Sequence, residues 1–285
     1  MKSRIALGLL VQLAVWSASA ADVQVFHADS LSGPMQEVKR AFEAKRPGTN
    51  VVLTSGVSRQ LAERITKGEV VDVFAPSSPA VIDENLLDKP IANGVANSQP
   101  AATWYVVFSA NEMVIITAKG NPRGIRRASD LAQPSIRFVR VNGEKDLATA
   151  RTVTFLQRAT AADGDAAAAR KIIDAASGIE PGKPVTVPAA VDAVRQGKAD
   201  AAVVYLSAAL AARNDLEIVR FPDTVNLSES IRNAATVPAT ATNRADAVAF
   251  VAFLLSPYAQ MILKEAGQPP IVPAIRKGAV PAEIP

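Results

Sequence analysis

Two serines stand at matching points after neighbouring apolar segments, and they suggest an anion-binding site. Ser30 follows the apolar segment VQVF and a short polar turn, and Ser58 follows VVL and the turn TSGVS. Each serine lies at the start of a predicted helix, where unpaired backbone N–H groups and the positive end of the helix dipole favour an anion. If both helices leave the same edge of one parallel sheet, the two serines form an oxyanion cradle. The alternative, that each serine merely caps its helix, stays open.

The elements around these serines follow a strand–helix–strand–helix–strand order. Met35, Val38 and Phe42 recur at helical spacing after the first strand, and Gly68 is placed to end the second helix. The segment VDVFA is the third predicted strand. This alternation is typical of parallel strands joined by helices.

The same alternation continues to the C-terminus. Ser256 and Pro257 are predicted as the N-cap and first residue of the final helix, and Pro188 is predicted to begin an earlier one. The further predicted strands are WYVVFS, EMVIITAK, IRFVRV, VTV, AAVVY, EIVRF and, as the last extended segment, NAATVPATAT. We therefore predict an α/β fold with mainly parallel sheets, divided into two lobes that are joined by strands instead of by a flexible linker.

The N-terminus and the composition indicate an exported, soluble protein. Residues 1–20 have the layout of a secretory signal peptide, with basic residues, an apolar run and the small residues SASA before a cleavage site after Ala20. Removal of Lys2 and Arg4 leaves 29 basic and 27 acidic residues, a formal charge of +2. The chain has no cysteine, so its core alone must stabilise it, and a bacterial periplasm is the expected location. Scattered basic residues and few aromatic residues give no nucleic-acid footprint.

The side chains available for catalysis are few, and we predict that the protein is not an enzyme. The chain has one histidine and no thiol, which excludes a His/Cys metal site. His27 lies three residues before Ser30, so a secreted serine-dependent hydrolase is a remote alternative. An Fe(III) receptor is disfavoured because the three tyrosines, Tyr105, Tyr205 and Tyr258, include no adjacent pair.

Several segments together resemble the periplasmic substrate-binding proteins of ABC importers, specifically the molybdate- and tungstate-binding branch. They are VFHADSLSGPMQEVKRAFE, TSGVSRQLAERITKGEVVDVFAPSS, KADAAVVYLSAA and FLLSPYAQMILKEAG followed by QPPI. The resemblance implies a type II-like two-lobed binding protein, with residues 21–112 and 229–285 in lobe I and 113–228 in lobe II. It also implies that the ligand lies in the cleft between the lobes.

The resemblance further implies a set of ligand-binding residues. Ser30 and Ser58 would supply hydroxyl and backbone N–H donors, Ala148 and Val187 would supply backbone N–H groups, and Tyr205 would supply its phenol. The bound ligand would be molybdate or tungstate, held without a cofactor or a bare metal cation. The implied partner is an ABC permease in the inner membrane, and the binding protein is expected to be a monomer.

Three positions depart from the pattern of this branch, and they leave other anions open. Asp29 precedes the first serine, Val57 precedes the second, and the segment NGEKDLATARTV lacks a Pro-Gly-Tyr-like sequence. A carboxylate at position 29 would repel a bare dianion and favour a ligand that carries a proton or a cation. Phosphate, a phosphonate or a small organic acid are therefore alternatives to molybdate and tungstate.

Overall fold

A computed structural model describes residues 21–91, 99–144, 146–176, 178–180 and 182–285. The predicted signal peptide, residues 1–20, lies outside these ranges.

Strands and helices alternate along most of the chain, as the sequence predicts. The strands are β1 (Ala21–Ala28), β2 (Thr49–Gly56), β3 (Val73–Ala75), β4 (Trp104–Ala110), β5 (Met113–Ala118), β6 (Phe138–Val139), β7 (Ala201–Tyr205), β8 (Leu216–Val219), β9 (Arg232–Ala235) and β10 (Pro270–Gly278). The helices are α1 (Ser32–Lys45), α2 (Ser58–Thr66), α3 (Pro79–Asn85), α4 (Leu147–Ala162), α5 (Ala168–Ala175), α6 (Val187–Arg195), α7 (Leu206–Ala211), α8 (Arg244–Leu254) and α9 (Pro257–Glu265). Short 3-10 helices cover Asp29–Leu31 and Ala128–Ala132.

The first three strands form the parallel sheet that the sequence predicts, in the order β2-β1-β3. The register pairs Ala28, the last residue of β1, with Gly56, the last residue of β2. Ser30 and Ser58 each lie two residues beyond this pair. The two serines therefore leave the same edge of the sheet at equivalent positions. Behind them, α1 buries the predicted face of Met35, Val38 and Phe42.

The prediction of mainly parallel sheets is wrong for the rest of the molecule. β4 pairs antiparallel with both β9 and β10, and β5 pairs antiparallel with both β7 and β8. Only the short β6 runs parallel to its partner β7 in that sheet. Apolar runs of strand length do not report strand direction, and the antiparallel partners of β4 come from distant parts of the chain.

The sequence analysis also missed β10, because it predicted the last strand in NAATVPATAT. β10 contains Pro270 and Pro273, which are typical of loops. It lies at the edge of the sheet β10-β4-β9, where a residue without an N–H group is tolerated.

The buried apolar residues form cores on either side of two chain crossings. One core runs in sequence from Met113 to Ile231 and includes β5, β7 and α4. The others draw on residues between Val23 and Phe108 and on residues between Ala234 and Ile284. The chain thus passes from one lobe to the other between β4 and β5 and returns just before β9. The bounds of the two lobes given above stay a prediction.

The C-terminal helices pack against α1. Phe250 of α8 meets Phe42 edge to face with the ring centroids 5.1 Å apart. The predicted cap of α9 is present, because the Ser256 side chain accepts a hydrogen bond from the N–H of Ala259 at 3.3 Å. In the parts of the chain that the structure describes, each helix alone is too short or too polar to span a membrane. The helices α8 and α9, which are bent by 64° relative to each other, have the length and composition of a membrane span only when they are taken together.

Candidate functional site

A small cavity lies where the lobes meet, at the sheet edge that carries the two serines. Its volume is about 20 Å³. The residues that line this interlobe cavity are Ala28, Asp29, Ser30, Gly56, Val57, Ser58, Ser77, Asp146, Leu147, Val187 and Tyr205. The structure thus brings together four of the five predicted site residues, Ser30, Ser58, Val187 and Tyr205.

Ser30 reaches the cavity from the 3-10 turn between β1 and α1. The residue is buried, with 4% of its surface exposed, and its Oγ has no hydrogen-bond partner among the described residues. A buried hydroxyl without a partner is unusual and costly unless a ligand or water satisfies it. The Ser30 hydroxyl is therefore available to form a hydrogen bond with a ligand in the cavity.

The backbone of Ser30 is held by a buried polar network behind the cavity. Its carbonyl oxygen accepts hydrogen bonds from Ser207 Oγ at 2.6 Å and from Gln268 Nε2 at 3.2 Å. Asn111, at the crossing between β4 and β5, donates to Ser207 Oγ at 2.9 Å, and Asn233 of β9 donates to the Gln268 side chain. The position of Ser30 is therefore tied to both chain crossings.

Ser58 is the first residue of α2, and its hydroxyl is already an acceptor. The N–H of Ser77 donates to Ser58 Oγ at 3.2 Å, and the two hydroxyl oxygens are 3.5 Å apart. The N-cap residue of α2 is Val57, whose side chain makes no capping hydrogen bond. The first N–H groups of α2 therefore lack the side-chain partner that a polar N-cap would supply, and they lie at the cavity.

Ser77 is a site residue that the sequence analysis missed. It lies two residues after the end of β3, the same offset that places Ser30 after β1 and Ser58 after β2. β3 pairs with β1 in the parallel sheet, so the serine reaches the same edge. That repeated offset in the segment APSS was the signal available in the sequence.

Val187 enters the cavity at the start of α6. The sequence analysis predicted a strand over VTV and a helix from Pro188, but the helix begins at Val187 itself. Thr186 is the N-cap, and its hydroxyl accepts from the N–H of Ala189 at 3.3 Å. A polar N-cap with proline in the first turn explains the earlier helix start.

Ala148 is the predicted site residue that the structure does not bring into the cavity. Asp146 is the N-cap of α4, and its Oδ1 accepts a hydrogen bond from the N–H of Ala148 at 2.9 Å. The N–H group expected to face a ligand is thus occupied by a carboxylate. We leave Ala148 out of the proposed ligand set for this reason.

Tyr205 ends the central strand β7, and its phenol contacts a cation that the sequence analysis did not single out. Arg151 of α4 donates from Nη1 to the Tyr205 hydroxyl at 2.8 Å and from Nη2 to the Ser77 carbonyl at 2.9 Å. Burial raises the pKa of the Tyr205 phenol, although the neighbouring Arg151 cation opposes the shift. Tyr205 is therefore a neutral phenol at neutral pH, with a proton to donate.

Two carboxylates also line the cavity, so its wall does not consist of donors alone. Burial raises the pKa of Asp146, and the charge of Asp29 acts in the same direction, while the Ala148 N–H and the Arg151 cation lower it. Asp29 lies in the 3-10 turn and faces the cavity, as the sequence analysis considered. The cavity therefore combines hydroxyl and N–H donors with carboxylates that can accept a hydrogen bond from a ligand.

The geometry does not support the alternative of a serine hydrolase. His27 is buried, its Nδ1 lies 2.9 Å from the Ala28 carbonyl oxygen, and Ser30 Oγ has no hydrogen-bond partner among the described residues. Burial also lowers the pKa of His27. The Ser30–His27 dyad that such an enzyme needs is therefore not formed.

The described residues offer no group of three or more His, Cys, Asp or Glu side chains that could hold a metal ion. Of the three tyrosines, Tyr205 lines the cavity, while Tyr105 donates to Asp83 at 3.2 Å and Tyr258 is 46% exposed. The tyrosines therefore do not cluster at the cavity.

Two lobes that are joined by crossing strands and that both line a polar cavity define the class of two-lobed solute-binding proteins. The sequence comparison gives the family. The model of the family described as "Bacterial extracellular solute-binding protein" matches residues 23–268, and the chain belongs to this family.

The relatives are named as binding proteins. The molybdate-binding protein ModA of Mycobacterium tuberculosis (strain ATCC 25618 / H37Rv) is 30% identical over 207 residues, which cover 72% of this chain and 68% of that protein. A solute-binding protein of Methanoculleus marisnigri, described as uncharacterized, is 26% identical and covers 93% of this chain and 86% of its own length.

Solved structures confirm the two-lobed fold. The periplasmic molybdate-binding protein of Azotobacter vinelandii superposes with a TM-score of 0.66 at 17% identity, covering 88% of this chain and 99% of that chain. The sulfate-binding protein SubI of Mycobacterium tuberculosis H37Rv gives a TM-score of 0.66 at 20% identity, covering 89% of this chain and 88% of that chain.

Proposed function

We propose that this protein is the solute-binding component of an ABC importer and that it captures a tetrahedral oxyanion, with molybdate or tungstate as the first candidates. The observation that carries the proposal is the convergence of Ser30, Ser58 and Tyr205, together with the starts of α2 and α6, on one small cavity. Each of these groups can donate a hydrogen bond, and the two helix starts contribute a positive potential. The 30% identity to a molybdate-binding protein supports the same ligand class.

The state of the hydroxyl groups favours a ligand that only accepts hydrogen bonds. The Tyr205 oxygen accepts from Arg151, and the Ser58 oxygen accepts from the Ser77 N–H. Each hydroxyl keeps one proton, which it can direct towards a ligand oxygen. A fully deprotonated tetrahedral oxyanion offers acceptors on every side and suits this arrangement.

The interlobe cavity is small, with a volume of about 20 Å³, and it shares Val57 and Asp146 with a larger cleft of about 1020 Å³ that is lined by residues of both lobes. A tetrahedral oxyanion therefore requires the lobes to move apart before it can reach the serines. Capture then follows the usual course for two-lobed proteins, in which the lobes separate to admit the ligand and close around it.

The carboxylates of Asp29 and Asp146 favour a second candidate, a tetrahedral oxyanion that carries a proton, such as phosphate or a phosphonate. A ligand hydroxyl can donate to a carboxylate, whereas a bare dianion is repelled by it. This candidate rests on the position of both side chains in the cavity wall.

The location, cargo and partner belong to the same proposal. Residues 1–20 direct export to the periplasm and are removed, and the monomeric mature protein hands its anion to a permease in the inner membrane. The anion is cargo, so no cofactor is required.

Isothermal titration calorimetry of ligand-stripped protein comprising residues 21–285 tests the proposal. The four titrants are molybdate, tungstate, sulfate and phosphate. We expect molybdate and tungstate to bind at least about tenfold more tightly than sulfate and phosphate, a difference of about 1.4 kcal/mol. Tightest binding of phosphate would replace the first candidate by the second, and absence of heat with all four would refute the oxyanion proposal.

A further inference from the structure

We infer that Arg151 is a specificity-determining residue that acts in two ways. It fastens the two lobes to each other across the interlobe cavity, and it makes Tyr205 an obligate hydrogen-bond donor towards the ligand. The inference rests on the proposed oxyanion function and assigns a role to a residue outside the set implied by the resemblance.

The guanidinium of Arg151 bridges the two lobes. Arg151 belongs to α4, in the lobe whose core includes β5 and β7, and it reaches Ser77 in the lobe of the parallel sheet. Nη2 donates to the Ser77 carbonyl oxygen at 2.9 Å, and Nη1 lies 3.4 Å from Ser77 Oγ. Charge-assisted hydrogen bonds of this kind are stronger than neutral ones. Because these contacts require the lobes to be close, they stabilise the closed arrangement that a captured ligand also requires.

The contact with Tyr205 sets the direction of the phenol proton. Arg151 Nη1 donates to the Tyr205 hydroxyl at 2.8 Å, and the guanidinium carbon lies 5.7 Å from the centroid of the ring. A guanidinium has donors only, so the phenol oxygen must be the acceptor in this pair. The single phenol proton then points to an acceptor in the cavity, where Tyr205 forms part of the wall and the Ser77 hydroxyl is also in contact with the phenol.

Arg151 also supplies positive charge beside a cavity whose described lining residues include no basic side chain. The lining side chains described for the cavity include the carboxylates of Asp29 and Asp146 but no lysine or arginine. Arg151 contacts the hydroxyl groups of Ser77 and Tyr205 and is not itself among the lining residues, so its charge offsets these carboxylates from beside the cavity. Loss of this cation leaves a bound anion facing the two carboxylates without the positive charge that offsets them.

Replacement of Arg151 tests the inference. We expect Arg151→Gln to weaken molybdate and tungstate binding about 10- to 100-fold by calorimetry, because charge-assisted hydrogen bonds and a compensating charge are lost. Arg151→Lys keeps the positive charge but not the planar guanidinium with its several N–H donors, so its affinity should lie between those of Arg151→Gln and the wild type. Arg158→Gln is the matched control, since Arg158 lies on the same helix in an exposed ion pair with Glu229 and should leave affinity unchanged.

A double-mutant cycle with Tyr205→Phe separates this role from a general loss of structure. If Arg151 acts through the phenol, Arg151→Gln should reduce the binding free energy clearly less in the Tyr205→Phe background than in the wild type. Small-angle scattering adds a second readout, because Arg151→Gln should reduce the ligand-induced decrease in the radius of gyration.

The outcomes distinguish this inference from the proposed function. Arg151→Gln binding within about twofold of the wild type, while Ser58→Ala binds weakly, would overturn the role of Arg151 and leave the oxyanion site standing. The role of Arg151 would also be overturned if Arg151→Gln reduced the affinity equally in the wild type and in the Tyr205→Phe variant and also lowered the melting temperature of the ligand-free protein. No binding of any of the four anions by the wild type would refute the proposed function, and this inference with it.

Discussion

Replacement of Ser30 by alanine should change stability and ligand affinity in opposite directions. The hydroxyl of Ser30 is buried and has no protein partner among the described residues, so its removal breaks no hydrogen bond within that part of the protein and relieves the cost of burying a polar group. Its removal should raise the free energy of unfolding by about 1 kcal/mol. For a protein of this size, that corresponds to an increase in melting temperature of about 2–4 °C.

The affinity for the oxyanion should fall in the same variant. Ser30→Ala leaves one ligand oxygen without its donor, which costs about 1–3 kcal/mol, or about 5- to 150-fold in Kd. The assay pairs differential scanning calorimetry of the ligand-free protein with titration calorimetry using molybdate. The two measurements on one variant thus carry predictions of opposite sign.

A matched control is available on α4. Thr152 is fully buried, and its Oγ1 also has no hydrogen-bond partner in the described part of the chain, but the residue does not line the cavity. Thr152→Val should raise the melting temperature in a similar way and leave the affinity unchanged. A Ser30→Ala variant that is less stable than the wild type, or one that binds molybdate as tightly, would refute the reasoning about this hydroxyl.

Three further predictions follow from the cavity and its supports. Ser58→Ala should lower molybdate affinity by about 1–3 kcal/mol and, unlike Ser30→Ala, lower the melting temperature, because Ser58 Oγ accepts a hydrogen bond from a buried N–H; higher stability in calorimetry would contradict this. Ser207→Ala removes a donor to the Ser30 carbonyl oxygen and should weaken molybdate binding about 3- to 10-fold, whereas Ser207→Thr should retain the donor and the affinity. Equal dissociation constants for the two variants would exclude this positioning role. Because burial raises the pKa of Asp146, its carboxyl group keeps its proton to a higher pH than an exposed aspartate does, so anion affinity should increase as the pH falls through that pKa. Asp146→Asn should flatten this pH profile in titration calorimetry, and an unchanged slope would contradict the assignment.

The part of the site that local sequence signals control was predicted well in position. Ser30 and Ser58 follow short apolar strands and precede amphipathic helices, and each signal lies within a few residues of the serine. The register of β1 with β2 then places both serines at one edge of the sheet. The local pattern also places Tyr205 at the end of an apolar strand, but its role in the site was implied by the family resemblance.

The residues that the sequence analysis missed act through contacts with distant parts of the chain. Arg151 reads as an ordinary basic residue on a helix, and only the approach of the two lobes places it against Ser77 and Tyr205. Ser207 and Gln268 meet the Ser30 carbonyl from positions far away in sequence. Periodicity and capping patterns carry no information about such contacts.

The remaining differences between the sequence analysis and the structure have the same origin. Ala148 was transferred by resemblance, but Asp146 two residues earlier caps the helix and takes up the N–H group. β10 was missed because its prolines resemble a loop, although the edge of a sheet tolerates them. The antiparallel partners of β4 are set by the route of the chain between the lobes and not by the apolar pattern of the strand.

The central claim is that a tetrahedral oxyanion is held between Ser30, Ser58 and Tyr205, and a crystal structure of the protein with tungstate tests it most directly. Anomalous scattering from tungsten locates the ion without reference to the protein. We predict one strong anomalous peak in the interlobe cavity, with oxygen atoms within hydrogen-bond distance of the three hydroxyl groups. An anomalous peak elsewhere on the protein, or none in crystals grown with excess tungstate, would contradict the account.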